Sequence, residues 1–242
     1  MRRIDQMLVE RGVFESRAKA TAAIEAGLVA VGGRRVSKPS ERFDESAEIE
    51  ASPAHPWVGR GALKLDHALT LWPVTVEGRA VLDVGASTGG FTEVCLARCA
   101  RHVVAVDVGR GQLHPNLAAD PRVTNLEAVD ARDLTAEMMG DPPGLIVCDA
   151  SFIGLAKVLP AALALAAPDA DLIALIKPQF EAGPALVGKG GLVKDEAVQA
   201  HVVAEVCGWL EGRGWTVQAT AASPIEGGEG QREFLLWAKR RP

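Results

Sequence analysis

Residues 80–91 run Ala80, Val81, Leu82, Asp83, Val84, Gly85, Ala86, Ser87, Thr88, Gly89, Gly90, Phe91, and they constrain this chain more than any other stretch. An apolar run ends in an acid, a glycine-rich turn follows, and Thr92 to Ala97 reads as the start of a helix. Strand, tight glycine turn and helix is how a parallel α/β sheet receives a nucleotide-like ligand at the carboxyl end of its first strand. The glycines Gly85, Gly89 and Gly90 allow backbone and ligand to meet where a Cβ would collide. Asp83 sits before the first glycine, where a pyrophosphate on a helix N-terminus would be repelled. The pattern suits a cationic ligand instead, and S-adenosylmethionine carries an ammonium and a sulfonium. A second apolar run, Val103 to Val106, ends in Asp107 about 20 residues after the turn, where an acid can accept ribose hydroxyls. Val108 follows it.

The rest of the chain repeats the alternation. Apolar runs end at Leu126, with Asp130 and Ala131 after it, at Asp149, and in the stretch 171–181 at Lys177. Asp130 is placed to meet an adenine amino group. The segment 155–167 reads as one helix and 195–213 as a long one, with Val198, Val202, Val206 and Leu210 at helical spacing. Two last strands, 215–217 and 233–238, complete about seven. The expectation is an α/β protein with a doubly wound, Rossmann-like sheet, its ligand at the strand carboxyl ends. It is joined to a small N-terminal α+β unit.

That unit reads as helix, helix and hairpin over 1–52. Ser16 caps the second helix and Gly32-Gly33 makes the hairpin turn. It holds the chain's cationic surplus. Residues 1–42 contain nine Lys/Arg and five Asp/Glu, a net +4, against −5 for all 242 residues. A basic end on an acidic body points to contact with RNA. Residues 53–59, with Pro53 and Pro56, form an extended linker in which Trp57 is an anchor, and 60–242 is the large domain. Hydrophobic residues at 48% and charged residues at 24% describe a globular chain without an apolar run near the roughly 18 residues of a membrane span. The N-terminus lacks a signal core, so a cytoplasmic protein is expected, with a monomer as the default. Cys95, Cys99, Cys148, Cys207 and the five histidines lack metal-ligand spacing, and no metal is expected.

Four charged residues fall where site residues belong. Lys64 precedes the first sheet strand, Asp149 ends the fourth, Lys177 ends the fifth, and Glu233 starts the last. A lysine closing the run 172–176 is costly if buried alone and reasonable in a cleft with carboxylate partners. Such a group can take the proton of a hydroxyl nucleophile.

The set Lys64, Asp149, Lys177 and Glu233 resembles the Lys-Asp-Lys-Glu tetrad of FtsJ/RrmJ-type ribose 2′-O-methyltransferases. Together with the runs 83–92, 105–114, 148–153 and 176–181, nearly the whole chain resembles the TlyA (haemolysin A) family, with Ser87 in the place of a more common glycine. Residues 2–5, 16–20, 24–29 and 33–38 resemble the S-four-type RNA-binding domain. The resemblance implies S-adenosylmethionine-dependent 2′-O-methylation of cytidine in ribosomal RNA, with ribosomal subunits as partner. It implies Lys177 as base, Asp149 and Glu233 holding it, and Lys64 placing the hydroxyl. Cofactor contacts fall on Asp83, Gly85, Ser87, Gly89, Gly90, Phe91, Asp107, Val108, Asp130, Ala131 and Asp149. RNA contacts fall on Arg3, Arg17, Lys19, Arg34 and Lys38. Membrane lysis, the activity the haemolysin name suggests, would need an apolar or amphipathic segment not used by the fold. A non-catalytic assembly protein would have no use for the tetrad. A base methyltransferase acting on amino groups would carry a Pro-Pro-aromatic motif where Asp149, Ala150, Ser151 and Phe152 stand.

Overall fold

The computed structural model describes residues 1–227 and 230–241. The chain divides into two compact units, Met1–Pro56 and a second beginning at Trp57, a boundary inside the expected linker 53–59.

The first unit runs β1 (Arg2–Arg3), α1 (Ile4–Glu10), α2 (Arg17–Glu25), β2 (Val29–Val31), β3 (Arg34–Arg35), β4 (Arg42–Phe43) and β5 (Ile49–Ala51). The Ser16 hydroxyl accepts the Lys19 N–H at 3.3 Å, capping α2. Gly32 and Gly33 have φ of +55° and +76°, the pair of left-handed residues that a two-residue hairpin turn requires. Strands β3, β2 and β5 form one antiparallel sheet. A second, two-stranded sheet pairs Arg2 with Phe43 and Arg3 with Arg42. Strands of two residues show no alternation, so sequence pattern does not reveal them. Ile4, Leu8, Phe14, Ile24, Val29 and Val36 fill the core.

The second unit holds α3 (Ala62–Leu71), β6 (Ala80–Val84), α4 (Gly90–Ala97), β7 (His102–Asp107), α5 (Pro115–Ala118), β8 (Val123–Glu127), α6 (Ala136–Met139) and β9 (Leu145–Cys148). It continues through α7 (Leu155–Val158), α8 (Pro160–Leu165), β10 (Asp171–Ile176), α9 (Pro178–Glu181), α10 (Glu196–Glu211), β11 (Trp215–Ala222) and β12 (Phe234–Arg240). The sheet order is β11-β12-β10-β9-β6-β7-β8. Strands β6 to β10 are parallel, whereas β12 is antiparallel to both β10 and β11.

Every residue of β6, β9 and β10 is buried, because helices cover both faces; this is why these strands read as continuous apolar runs. Alternate residues serve opposite layers. Leu82, Ile146 and Leu172 join the face covered by α7, α8 and α10. Val81, Val147 and Ile173 join the face covered by α3 and α4, where Trp57 and Val58 also pack.

Several boundaries differ from expectation, the strand expected over 215–217 running on to Ala222 and two others changing at prolines. The helix expected over 155–167 is two, because Pro160 has no N–H to continue α7 and instead opens α8. The strand expected over 171–181 ends at Ile176, and Pro178 starts the short helix α9.

Candidate active site

The sheet reverses its order of growth between β6 and β9, and the crevice there lies at the carboxyl ends of the strands. The turn after β6 is tight. Gly85 has φ of +81°, and a Cβ on it would lie 2.9 Å from the Ala150 Cα in the loop after β9. Ser87 takes φ of +48° and Gly89 +94° before α4 begins at Gly90. The cavity beyond this turn, about 530 Å³, is lined by Gly85, Ser87, Asp107, Val108, Asp130, Ala131 and Asp149 among others. A neighbouring cavity of about 580 Å³ is lined by Lys64, Phe91, Gly90, Lys177 and Glu233 among others. Gly85, Ser87, Asp149, Ser151 and Phe152 line both.

Asp83 and Gly89 line neither cavity. Asp83 shares the sheet face of Val81, under α4, where its Oδ2 accepts the Thr92 hydroxyl at 2.7 Å. Its Oδ1 is buried without a partner among the described residues. Burial pushes the carboxyl up to about 7, against the opposing Thr92 hydrogen bond and with help from the charge of Asp149. Asp107 ends β7 and fixes the turn: Oδ2 accepts the Ser87 N–H at 2.9 Å and Oδ1 the Gly109 N–H at 2.7 Å. Asp130 is clasped by Arg132, whose Nε and Nη2 lie 3.0 and 2.6 Å from its oxygens, and these bonds hold its carboxyl down at about 2.

The four charged residues come together. Lys64, on α3, is 7% exposed, Lys177 5% and Glu233 3%. Lys177 Nζ lies 2.7 Å from Asp149 Oδ1, and also donates to the Asp149 carbonyl at 3.0 Å and to Ser151 Oγ at 2.8 Å. Lys64 Nζ lies 2.7 Å from Glu233 Oε2 and 3.3 Å from Asp149 Oδ2. Glu233 thus meets Lys64, where the sequence reading put it on Lys177. Two buried cations between two carboxylates compensate the cost of their desolvation. Ser151 and Phe152 were not among the expected site residues, although both lie in the run 148–153. Phe152 is 91% exposed, holds φ of +66°, and tilts against Phe180 with ring centres 5.2 Å apart.

In the first unit the expected RNA-contacting residues are set by acids. The buried Asp5 receives Arg3 (3.0 Å) and Arg17 (2.7 Å) together, and the Arg3 bonds above all hold its carboxyl down at about 2. Arg34 meets Glu41 at 2.9 Å, and the backbone N–H of Lys38 meets the same carboxylate, also at 2.9 Å. Lys19 pairs with Glu15 at 2.8 Å.

Residues 57–240 match the FtsJ-like methyltransferase family and residues 2–49 the S4 domain. Over 239 residues the chain is 45% identical to the 16S/23S rRNA (cytidine-2′-O)-methyltransferase TlyA of Mycobacterium tuberculosis, covering 98% of this chain and 89% of that one. It is 36% identical over 234 residues to Hemolysin A of Brachyspira hyodysenteriae, covering 96% and 98%. A solved structure from Streptococcus thermophilus that carries the name hemolysin is similar with a TM-score of 0.79 at 36% identity, over 99% of this chain and 88% of that one.

Proposed function

Because the chain belongs to the TlyA family, with an FtsJ-like methyltransferase domain and an S4 domain, we propose that it transfers the methyl group of S-adenosylmethionine to the 2′-hydroxyl of a cytidine in ribosomal RNA. The observation that carries this reading is the pairing of Lys177 with Asp149 and of Lys64 with Glu233 at the junction of two cavities.

The residues present fit the cofactor. The cavity beyond the turn is lined by Gly85 and by three acids, Asp107, Asp130 and Asp149, acceptors that suit ribose hydroxyls and a ligand carrying an ammonium and a sulfonium. Asp107 would hold the ribose, Asp130 and Ala131 the adenine, and the turn 85–90 the amino-acid end. When bound, S-adenosylmethionine supplies a methyl group on a sulfonium, whose leaving thioether is neutral. The chain's own work is placement and proton transfer. Lys177, as the amine, is the base of the reaction and ends with the added proton at Nζ. Asp149 fixes Nζ through its side chain and its carbonyl. Lys64, anchored by Glu233, donates an N–H toward the acceptor ribose and sets its distance from Lys177. Arg3, Arg17, Lys19, Arg34 and Lys38 would meet the RNA backbone, which positions the substrate without reading its sequence.

Such a substrate places the protein with ribosomes in the cytoplasm. Among the described residues, no helix is long and apolar enough to cross a membrane. The test is methyl transfer from labelled S-adenosylmethionine to ribosomal subunits from a strain lacking this protein. The wild type should deposit label in 2′-O-methylcytidine. Lys177→Ala should lose roughly a hundredfold or more in rate while still binding the cofactor. Label on a base, or an unimpaired Lys177→Ala, would overturn the reading.

A further inference from the structure

We propose that Ser151 is a catalytic residue that carries the proton between the acceptor's 2′-hydroxyl and Lys177; the proposal rests on the ribose-methyltransferase reading above. A lysine ammonium has three N–H donors. At Lys177 three acceptors surround Nζ: Asp149 Oδ1 at 2.7 Å, the Asp149 carbonyl at 3.0 Å and Ser151 Oγ at 2.8 Å. Lys177 is itself 5% exposed. A hydroxyl that approached Nζ directly would have to displace one of these acceptors.

The three acceptors are not equally placed to yield. The carbonyl is backbone, fixed just past the end of β9. The Asp149 carboxylate is shared with Lys64 at 3.3 Å. Ser151 is exposed, lines both cavities, and reorients its hydroxyl by rotation about single bonds. Asp149 lines both cavities too, but its carboxylate is held by both lysines, so Ser151 is the partner of Lys177 free to turn toward the space between cofactor and acceptor.

A hydroxyl both donates and accepts, so nothing needs to be displaced. In the resting state Oγ accepts from the ammonium. With Lys177 as the amine, the Ser151 O–H turns to donate to Nζ, and Oγ is open to the ribose hydroxyl. The ribose oxygen then exchanges its proton for the methyl group, and the electron pair of the broken methyl–sulfur bond stays on sulfur. The ribose proton passes to Oγ as the Ser151 proton passes to Nζ. Ser151 ends unchanged and Lys177 ends as the ammonium.

The experiment compares the full-length wild type, Ser151→Ala, Ser151→Thr and Lys177→Ala in single-turnover methyl transfer to ribosomal RNA. Cofactor affinity is measured alongside, and the rate is followed against the deuterium fraction of the solvent. Ser151→Ala should fall roughly a hundredfold at unchanged cofactor affinity, and Ser151→Thr, which keeps the hydroxyl, should recover most of the rate. The wild type should show a curved, two-proton dependence on deuterium. Wild-type rates for Ser151→Ala together with an inactive Lys177→Ala would overturn the relay alone. An active Lys177→Ala would overturn the ribose-methyltransferase reading beneath it. A Ser151→Thr as slow as Ser151→Ala, or a linear one-proton dependence in the wild type, would also overturn the relay.

Discussion

The Lys64 ammonium lies 2.7 Å from Glu233 Oε2 and 3.3 Å from Asp149 Oδ2, so one buried cation ties the start of the last strand to the end of β9. Removing Glu233 leaves Lys64, 7% exposed, with the longer Asp149 pairing alone. Glu233→Ala should cost about 3 kcal/mol in urea unfolding, as should Lys64→Ala. The double variant should lose at least about 1 kcal/mol less than the sum. Strict additivity would mean that the two charges do not act as a pair.

Asp83 makes stability depend on pH with a defined sign. Its carboxyl titrates at about 7 when folded and near its ordinary 3.8 when unfolded. Between these values the unfolded chain binds fewer protons, so this contribution is complete below about pH 4 and is lost as pH rises through 7. Asp83→Asn should flatten that slope, so that the variant gains on the wild type between pH 5 and pH 8 in thermal unfolding. A wild type that grows more stable over that range would contradict the assignment.

Gly154 sits against the carboxylate of Glu181. Its φ of −76° is open to any residue. A Cβ there would lie 2.7 Å from Glu181 Oε2, however, while Glu181 Oε1 accepts the Leu155 N–H at 2.7 Å. Through this hydrogen bond the loop carrying Asp149 and Ser151 is clipped to the helix that follows Lys177. Gly154→Ala should lower the transfer rate roughly tenfold by displacing the loop. Added to Glu181→Ala, it should cost little more. Equal losses in both backgrounds would place the effect elsewhere.

Asp5 gathers Arg3 and Arg17 onto one carboxylate. Asp5→Asn makes the unit more positive yet releases both guanidinium groups. Filter binding across a salt series should show weaker RNA affinity. Arg17→Ala should make the salt slope shallower by about one for each phosphate that the arginine neutralises. Tighter binding by Asp5→Asn would mean that net charge alone, not placement, governs RNA capture.

Much of this is readable in the sequence, for physical reasons particular to each residue. Asp107, Asp149 and Lys177 announce strand ends because a charge closing an apolar run has few other places to be. Asp83 is readable as a strand-end acid but not as one turned toward Thr92. Its direction follows from the side-chain period of two, which puts Asp83 with Val81 under α4. Glu233 is identifiable without its partner, since residue type does not say which of two lysines it faces. That follows from β12 running antiparallel to β10, a matter of topology. The i,i+2 clasp of Asp130 by Arg132 is local, yet either residue alone reads as solvated. Pro160 is visible, and the apolar periodicity of 155–167 masks the break it makes.

The antiparallel last strand also divides the site along the chain. The residues lining the cavity beyond the glycine turn all lie between Val84 and Val158, whereas Glu233 is supplied just before the last strand. A chain ending before Glu233 would keep every residue that lines this cavity and would lose the carboxylate that anchors Lys64. The residues proposed to bind and the last member of the charged cluster are thus separable by a single cut in the sequence.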